Sequence, residues 1–138
     1  MSNYVPKDLE FDQEGRDKLI SGISKISKAV KSTLGPRGKT VLIESSNHTQ
    51  GITITKDGVT VAESISLIDP VENLAITMMK DAARRTANSA GDGTTTAIVL
   101  TEALVKAGEE FLKPEHNITE VVKSIKVITD KVVSSLEH

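Results

Sequence analysis

The sequence predicts a mainly α fold: a bundle of about four long helices with one β-hairpin. Three observations carry this. Apolar residues recur at steps of three and four over four long stretches, the spacing that lines one face of a helix. Only residues 39–55 hold β-branched, alternating segments, with a polar run between them. Glycine and proline mark most of the joints.

In the first stretch, Leu19, Ile23, Ile26, Val30 and Leu34 predict a helix over about 13–34, with Asp12 as its N-cap. "LGPRG" (34–38) stops it, because Gly35 takes positive φ freely and Pro36 cannot continue a helix. "KTVLIE" (39–44) and "ITIT" (52–55) are the strands, and "SSNHTQG" (45–51) is the loop between them. "KDG" (56–58) turns the chain, and 59–65 reads as a short helix. Asp69 caps a long helix with Pro70 at its first position. Its expected inner face is Val71, Leu74, Ala75, Met78, Ala82 and Thr86.

"AGDG" (90–93) breaks that helix, and 94–112 is helical again. There "AIVL" (97–100) is apolar on every side, which predicts deep burial. "KPEHN" (113–117) connects to a last helix striped by Ile118, Val121, Val122, Ile125, Ile128, Val132 and Leu136. That stripe is expected to be buried against something. Two strands alone are marginal in water, and their open edges invite a further strand. It would come from a neighbouring subunit or from sequence beyond this chain.

Composition narrows the function. The 138 residues amount to one domain. Lys and Arg number 17 against 19 Asp and Glu, a net charge of −2, so bulk charge names neither nucleic acid nor membrane as a partner. Tyr4, Phe11 and Phe111 are the only aromatics, too few for a base-stacking platform. Without cysteine there is no disulfide and no thiolate-bound metal. The start of the chain lacks a signal-type apolar run, and no stretch approaches the roughly 20 apolar residues that span a bilayer. A soluble, cytoplasmic chain is expected.

The chemistry gathers at the breaks. In "GDGTTT" (91–96) a helix begins directly after two glycines and an acid. A helix N-terminus offers unpaired N–H groups and partial positive charge, and glycine lets a phosphate approach the backbone. Thr94, Thr95 and Thr96 add hydroxyl donors. Asp92 would repel bare phosphate, so it calls for a bridging cation, and Mg²⁺ prefers carboxylate, phosphate oxygen and water. The plainer alternative is that Asp92 only caps the helix and the threonines fill space. No Walker A pattern is present, since Gly-Lys-Ser/Thr does not occur. "TLGPRG" (33–38) and "TKDG" (55–58) read equally as a helix end and a hairpin exit, or as walls of the same pocket. Asp57 would then be a second carboxylate near phosphate, with Lys56 supplying charge. His48, His116 and His138 are too far apart in sequence to suggest a metal site. Lys80, Arg84 and Arg85 read as a solvated helix face with an Asp81–Arg85 pair, and Met78 and Met79 as core filler.

Taken in order, "TLGPRG", "TITKDGVTVA" and "AGDGTTTAIVL" resemble the N-terminal equatorial segment of the group I chaperonins, from about Leu9 to the last helix. The resemblance implies a chaperonin equatorial-domain-like helical bundle over 1–138, and an ATPase serving protein folding. Thr33, Leu34, Gly35 and Pro36 match its phosphate-contacting loop. Lys56 matches a residue whose backbone lies near the phosphates and K⁺. Asp57 matches an acid close to the γ-phosphate, the candidate catalytic residue here, and Gly58 its turn glycine. Asp92 matches the Mg²⁺ ligand, and Gly93, Thr94, Thr95 and Thr96 the phosphate-binding helix start. The resemblance also implies a ring of identical subunits, in which residues 4–11 and the hairpin supply strand pairing between neighbours. Unfolded polypeptide and a co-chaperonin would engage intermediate and apical domains that this chain lacks, and a further catalytic aspartate lies in the returning half.

Two segments depart from the family. The loop 45–51 lacks the usual apolar and proline residues, and "KPEHNI" (113–118) replaces a glycine-rich connector. Both imply a divergent member, viral or environmental. "LEH" at the end reads as a tag stub or native sequence. A chain holding only the phosphate half of the site is expected to turn ATP over weakly or not at all. Two rival readings stand beside this one. The chain could dock onto full-length chaperonin subunits without catalysis, or be a small-molecule phosphotransferase, for which no acceptor pocket or base nominates itself.

Overall fold

The computed structural model describes residues 9–44 and 51–137. Five helices and two strands follow in the order α1 (Asp12–Lys31), β1 (Val41–Glu44), β2 (Ile52–Thr55), α2 (Gly58–Ser64), α3 (Pro70–Ala90), α4 (Thr94–Phe111) and α5 (Ile118–Leu136). The chain divides into two bodies, Met1–Lys106 and Ala107–His138, with α4 beginning in the first and ending in the second.

The core of the first body is aliphatic. Ile26 and Val30 of α1, Val61 and Ala62 of α2, Ile76, Met79 and Ala83 of α3, and Ile98 of α4 form one buried cluster. Each large side chain among them contributes about 1.5–3 kcal/mol by leaving water. Helices α1 and α3 meet at Gly22. A Cβ there would overlap the Glu72 carbonyl and lie 3.1 Å from Ala75 Cβ, so the missing side chain permits the approach. Glu72 then reaches back to α1, accepting from Ser21 Oγ at 2.7 Å and Lys25 Nζ at 2.5 Å.

The strands are antiparallel, with Val41 opposite Thr55 and Glu44 opposite Ile52. Val41 and Ile43 lean on the core, while Leu42, Ile52 and Ile54 are exposed. Among the described residues the sheet has these two strands alone. Of the segment expected to add a strand between subunits, 4–8 lie outside the described residues, as does 45–50 of the hairpin loop.

Several expectations are corrected. The N-cap of α1 is Phe11, not Asp12, and no side chain caps it. Asp12 instead takes φ 61, a conformation Asp tolerates, at the helix start. The helix ends at Lys31 rather than 34. Ser32 and Thr33 turn their hydroxyls onto the carbonyls of Ala29 and Val30, satisfying the last turn early. On α3 the inward residues are Ala75, Ile76, Met79 and Ala83, while Leu74, Met78 and Ala82 face out. The helix carries two apolar stripes about one residue apart, and its partners select the second.

Nor is "AIVL" deeply buried, because only Ile98 is enclosed and Leu100 stays 57% exposed. The buried face of α4 is Thr94, Ile98 and Glu102. Lys80 and Arg84 are not merely solvated. Lys80 Nζ donates to the carbonyls of Glu63 and Ile65 at 2.8 and 2.7 Å, and Arg84 forms a forked pair with Glu63. They close the C-terminal end of α2. Finally, α5 has its apolar stripe and an Asn117 cap, but none of its residues is buried.

Other readings hold as made. Asp69 caps α3 by accepting from the N–H groups of Val71 and Glu72 at 2.9 and 3.0 Å, ahead of Pro70. The short helix expected over 59–65 forms one residue earlier, at Gly58–Ser64, and Asp81 pairs with Arg85 at 2.9 Å.

Candidate functional site at three helix ends

Three breaks in the chain meet at Gly58. It is buried at the first position of α2, and a Cβ built on it would overlap Thr95 Oγ1 and come within 3.2 Å of Thr33 Oγ1. So the exit of α1, the start of α2 and the start of α4 share one point. Residues 33, 58 and 95 are far apart in sequence, and all three come from motifs singled out above.

The exit loop of α1 is tightly folded. Lys39 N–H donates to the Ser32 carbonyl at 2.6 Å and Gly38 N–H to the Gly35 carbonyl at 2.9 Å. Gly35 has φ 75, and a Cβ there would meet nothing within 4 Å, so open space flanks the loop. Leu34 and Pro36 are exposed beside it.

At the start of α2, Asp57 is the N-cap. Its carboxylate accepts from Val59 N–H at 3.2 Å, Thr60 N–H at 3.0 Å and Thr60 Oγ1 at 2.6 Å. The Thr60 hydroxyl, with these N–H groups, holds its carboxyl below the ordinary value of 3.8 despite partial desolvation. Lys56 is exposed just ahead of it.

At the start of α4, Gly91 ends α3 with φ 76 and Gly93 follows with φ 90. Asp92 between them is exposed and accepts the Gly93 N–H at 2.6 Å. Ala97 N–H makes the first helical bond, to the Gly93 carbonyl, so the N–H groups of Thr94, Thr95 and Thr96 lie ahead of the helical ladder. Thr94 is buried and Thr96 exposed.

The donor set is one exposed carboxylate, a helix start with three threonines, and a glycine-bearing loop with open space alongside. Such a set suits a phosphate chain bridged by a hard cation. Among the described residues no three His, Asp or Glu side chains cluster as an all-protein metal site, so one carboxylate would have to share the ion with its ligand. His116 is spent elsewhere, stacked on Phe111 with its Nδ1 accepting the Lys113 N–H at 3.0 Å. His48 and His138 lie outside the described residues.

Residues 26–138 match the sequence pattern of the TCP-1/cpn60 chaperonin family. The chain belongs to that family. This chaperonin chain is also similar in structure to the chaperonin gp146 of bacteriophage EL 2 (Pseudomonas aeruginosa), crystallised in the presence of ATP-BeFx. Against crystal form II the TM-score is 0.77 at 32% identity, covering 91% of this chain and 21% of that one. Against crystal form I it is 0.67 at 35% identity, covering 74% and 18%. The present chaperonin chain thus spans about a fifth of the length of those chains. Its helical architecture is that of a chaperonin equatorial domain. No described helix is long and apolar enough to cross a membrane.

Sequence reading missed two contributors to this region. Thr60 holds Asp57, and the spacing Asp-x-x-Thr at a helix start could have shown it. Glu102 is buried in α4 against Lys31 and Lys106, and a lone acid on an apolar face was the available signal.

Proposed function

We propose that this chain supplies the phosphate- and Mg²⁺-binding half of an ATP site in a chaperonin subunit that assists protein folding. The observation that carries the reading is the meeting of Thr33, Gly58 and Thr95 at one point, which joins three motifs into one surface. Asp92 would hold Mg²⁺, and the helix start with Thr94, Thr95 and Thr96 would take phosphate oxygens. The loop of Thr33, Leu34, Gly35 and Pro36 would close over them. Lys56 would lie beside the phosphates and a K⁺ ion. Asp57, ionised and held by Thr60, would face the terminal phosphate as the candidate catalytic carboxylate. Bound Mg²⁺ would neutralise charge on the phosphates, as in other phosphoryl transfers. The site would serve a ring of like subunits in the cytoplasm, with polypeptide and a co-chaperonin engaged by domains beyond this chain. Turnover by this chain alone is expected to be weak or absent.

Calorimetry with ATP and Mg²⁺ in potassium buffer tests the reading on the wild type and on Asp92→Ala. Magnesium-dependent binding that the substitution abolishes supports it. A folded wild type that binds no ATP refutes a phosphate site formed by this chain alone and puts the docking reading that follows ahead of it.

A second reading rests on the hairpin, whose two strands pair with no third strand among the described residues and carry an exposed Leu42–Ile54 pair. The chain would dock these onto full-length chaperonin subunits without catalysis. Mixing it with such subunits and separating rings by size decides the matter, and failure to incorporate at any ratio sinks this reading.

A further inference from the structure

The ATP-site reading leaves one buried charge unused. Glu102 is the only acid among the buried residues described, with its side chain 6% exposed. A carboxylate out of water stays ionised only where partners replace the lost hydration. Two lysines do so. Lys106, one turn on, donates to Oε1 at 2.8 Å, and Lys31 pairs with Oε2 from α1. Burial alone would raise the Glu102 carboxyl, but the two lysines outweigh it and hold the carboxyl below its ordinary value.

The position of this pair matters more than its presence. Lys31 is the last residue of α1 and stands two residues before Thr33. Glu102 shares its buried face with Thr94 and Ile98, so anchoring it sets the rotation of α4 about its own axis and hence where Thr95 points. The other polar tie between these helices, Ser27 Oγ to the Ile98 carbonyl, is 3.4 Å long. Packing at Ile98 is non-directional, whereas an ion pair has a fixed partner and reach.

We propose that Glu102, through Lys31, is a positioning residue that holds the α1 exit loop in register with the start of α4. It thereby keeps Thr33 and Thr95 together at the phosphate surface. The proposal rests on the ATP-site reading for its consequence, though not for its geometry.

Three variants test it. Glu102→Gln removes the charge, and Lys31→Met is milder because Lys106 stays on Glu102. Lys25→Met is the control, since it removes the matching lysine of Glu72 at the α1–α3 contact. Thermal unfolding, amide hydrogen exchange and ATP–Mg²⁺ calorimetry are read on each. In Lys31→Met and Glu102→Gln, the amides of Gly38 and Lys39 should exchange faster. ATP affinity should fall about tenfold, as it does when the competent fraction drops to a tenth. Lys25→Met should lower the melting temperature while leaving both readouts unchanged. If all three variants speed exchange evenly across the chain, the residue serves stability alone and the proposal falls. If the loop loosens but ATP affinity does not change, its role at the site is refuted. If the wild type binds no ATP while the loop responds as expected, the nucleotide reading fails and the structural tie stands.

Discussion

Gly58 has no side chain, and the place a Cβ would take is already held by the Thr95 hydroxyl. Thr95 is anchored on a helix, so it cannot swing aside as a long side chain would. Gly58→Ala should therefore destabilise the chain by about 1–3 kcal/mol, the usual cost of overpacking, and weaken ATP binding with it. Denaturant unfolding and calorimetry read the two effects. Asp57, one residue earlier, is a cap as well as a candidate catalytic group. Its folded-state carboxyl lies below the ordinary value, so its contribution is complete above that value and fades as pH falls through the lower one. Asp57→Ala should cost about 1 kcal/mol at neutral pH. The gap between its melting curve and that of the wild type should begin to narrow as pH falls below the ordinary carboxyl value, and should close only below the lower folded-state one.

At the scale of elements, α3 organises the first body. It packs on α1 through Gly22 and clamps the far end of α2 with Lys80 and Arg84. The clamp and the Asp57 cap hold α2 at both ends, which is how a helix of seven residues stays in place beside the site. Gly22 leaves no room for a methyl group, because the obstacle is the backbone carbonyl of Glu72 rather than a mobile side chain. Gly22→Ala should push α1 and α3 apart and lower stability by about 1–3 kcal/mol. Chemical denaturation measures this, and a neutral result would mean that the helices tolerate separation.

At the scale of the whole molecule, both bodies carry exposed apolar side chains. Ile118, Val122, Ile125, Ile128, Val132 and Leu136 run exposed along α5, and the outer face of the hairpin adds Leu42 and Ile54. An apolar stripe such as that of α5 favours association, and a net charge of −2 offers little repulsion against it. The chain should self-associate as its concentration rises. Ile125→Lys with Ile128→Lys should reduce that association in sedimentation velocity without lowering the melting temperature, because neither side chain is buried. An unchanged sedimentation profile would place the sticky surface elsewhere.

What the sequence determined by itself was local. Helical spacing, the Asp69–Pro70 start and the stop at Gly91 were legible because each depends on residues within a turn or two of itself. The three glycine-marked breaks were legible as candidate phosphate contacts for the same reason. Tertiary structure decided whatever depends on a distant partner. On α3, Leu74 and Met78 had the same helical period as Ile76 and Met79, and only contact with α1 and α2 chose between the two stripes. For α4, local apolarity predicted burial all round, yet burial belongs to the face that finds a neighbour, and Leu100 found none. The meeting of Thr33 with Thr95 across Gly58, and the pairing of Glu102 with Lys31, join residues more than sixty positions apart. Such contacts have no local signature, because chain folding, not sequence spacing, sets the distance between them.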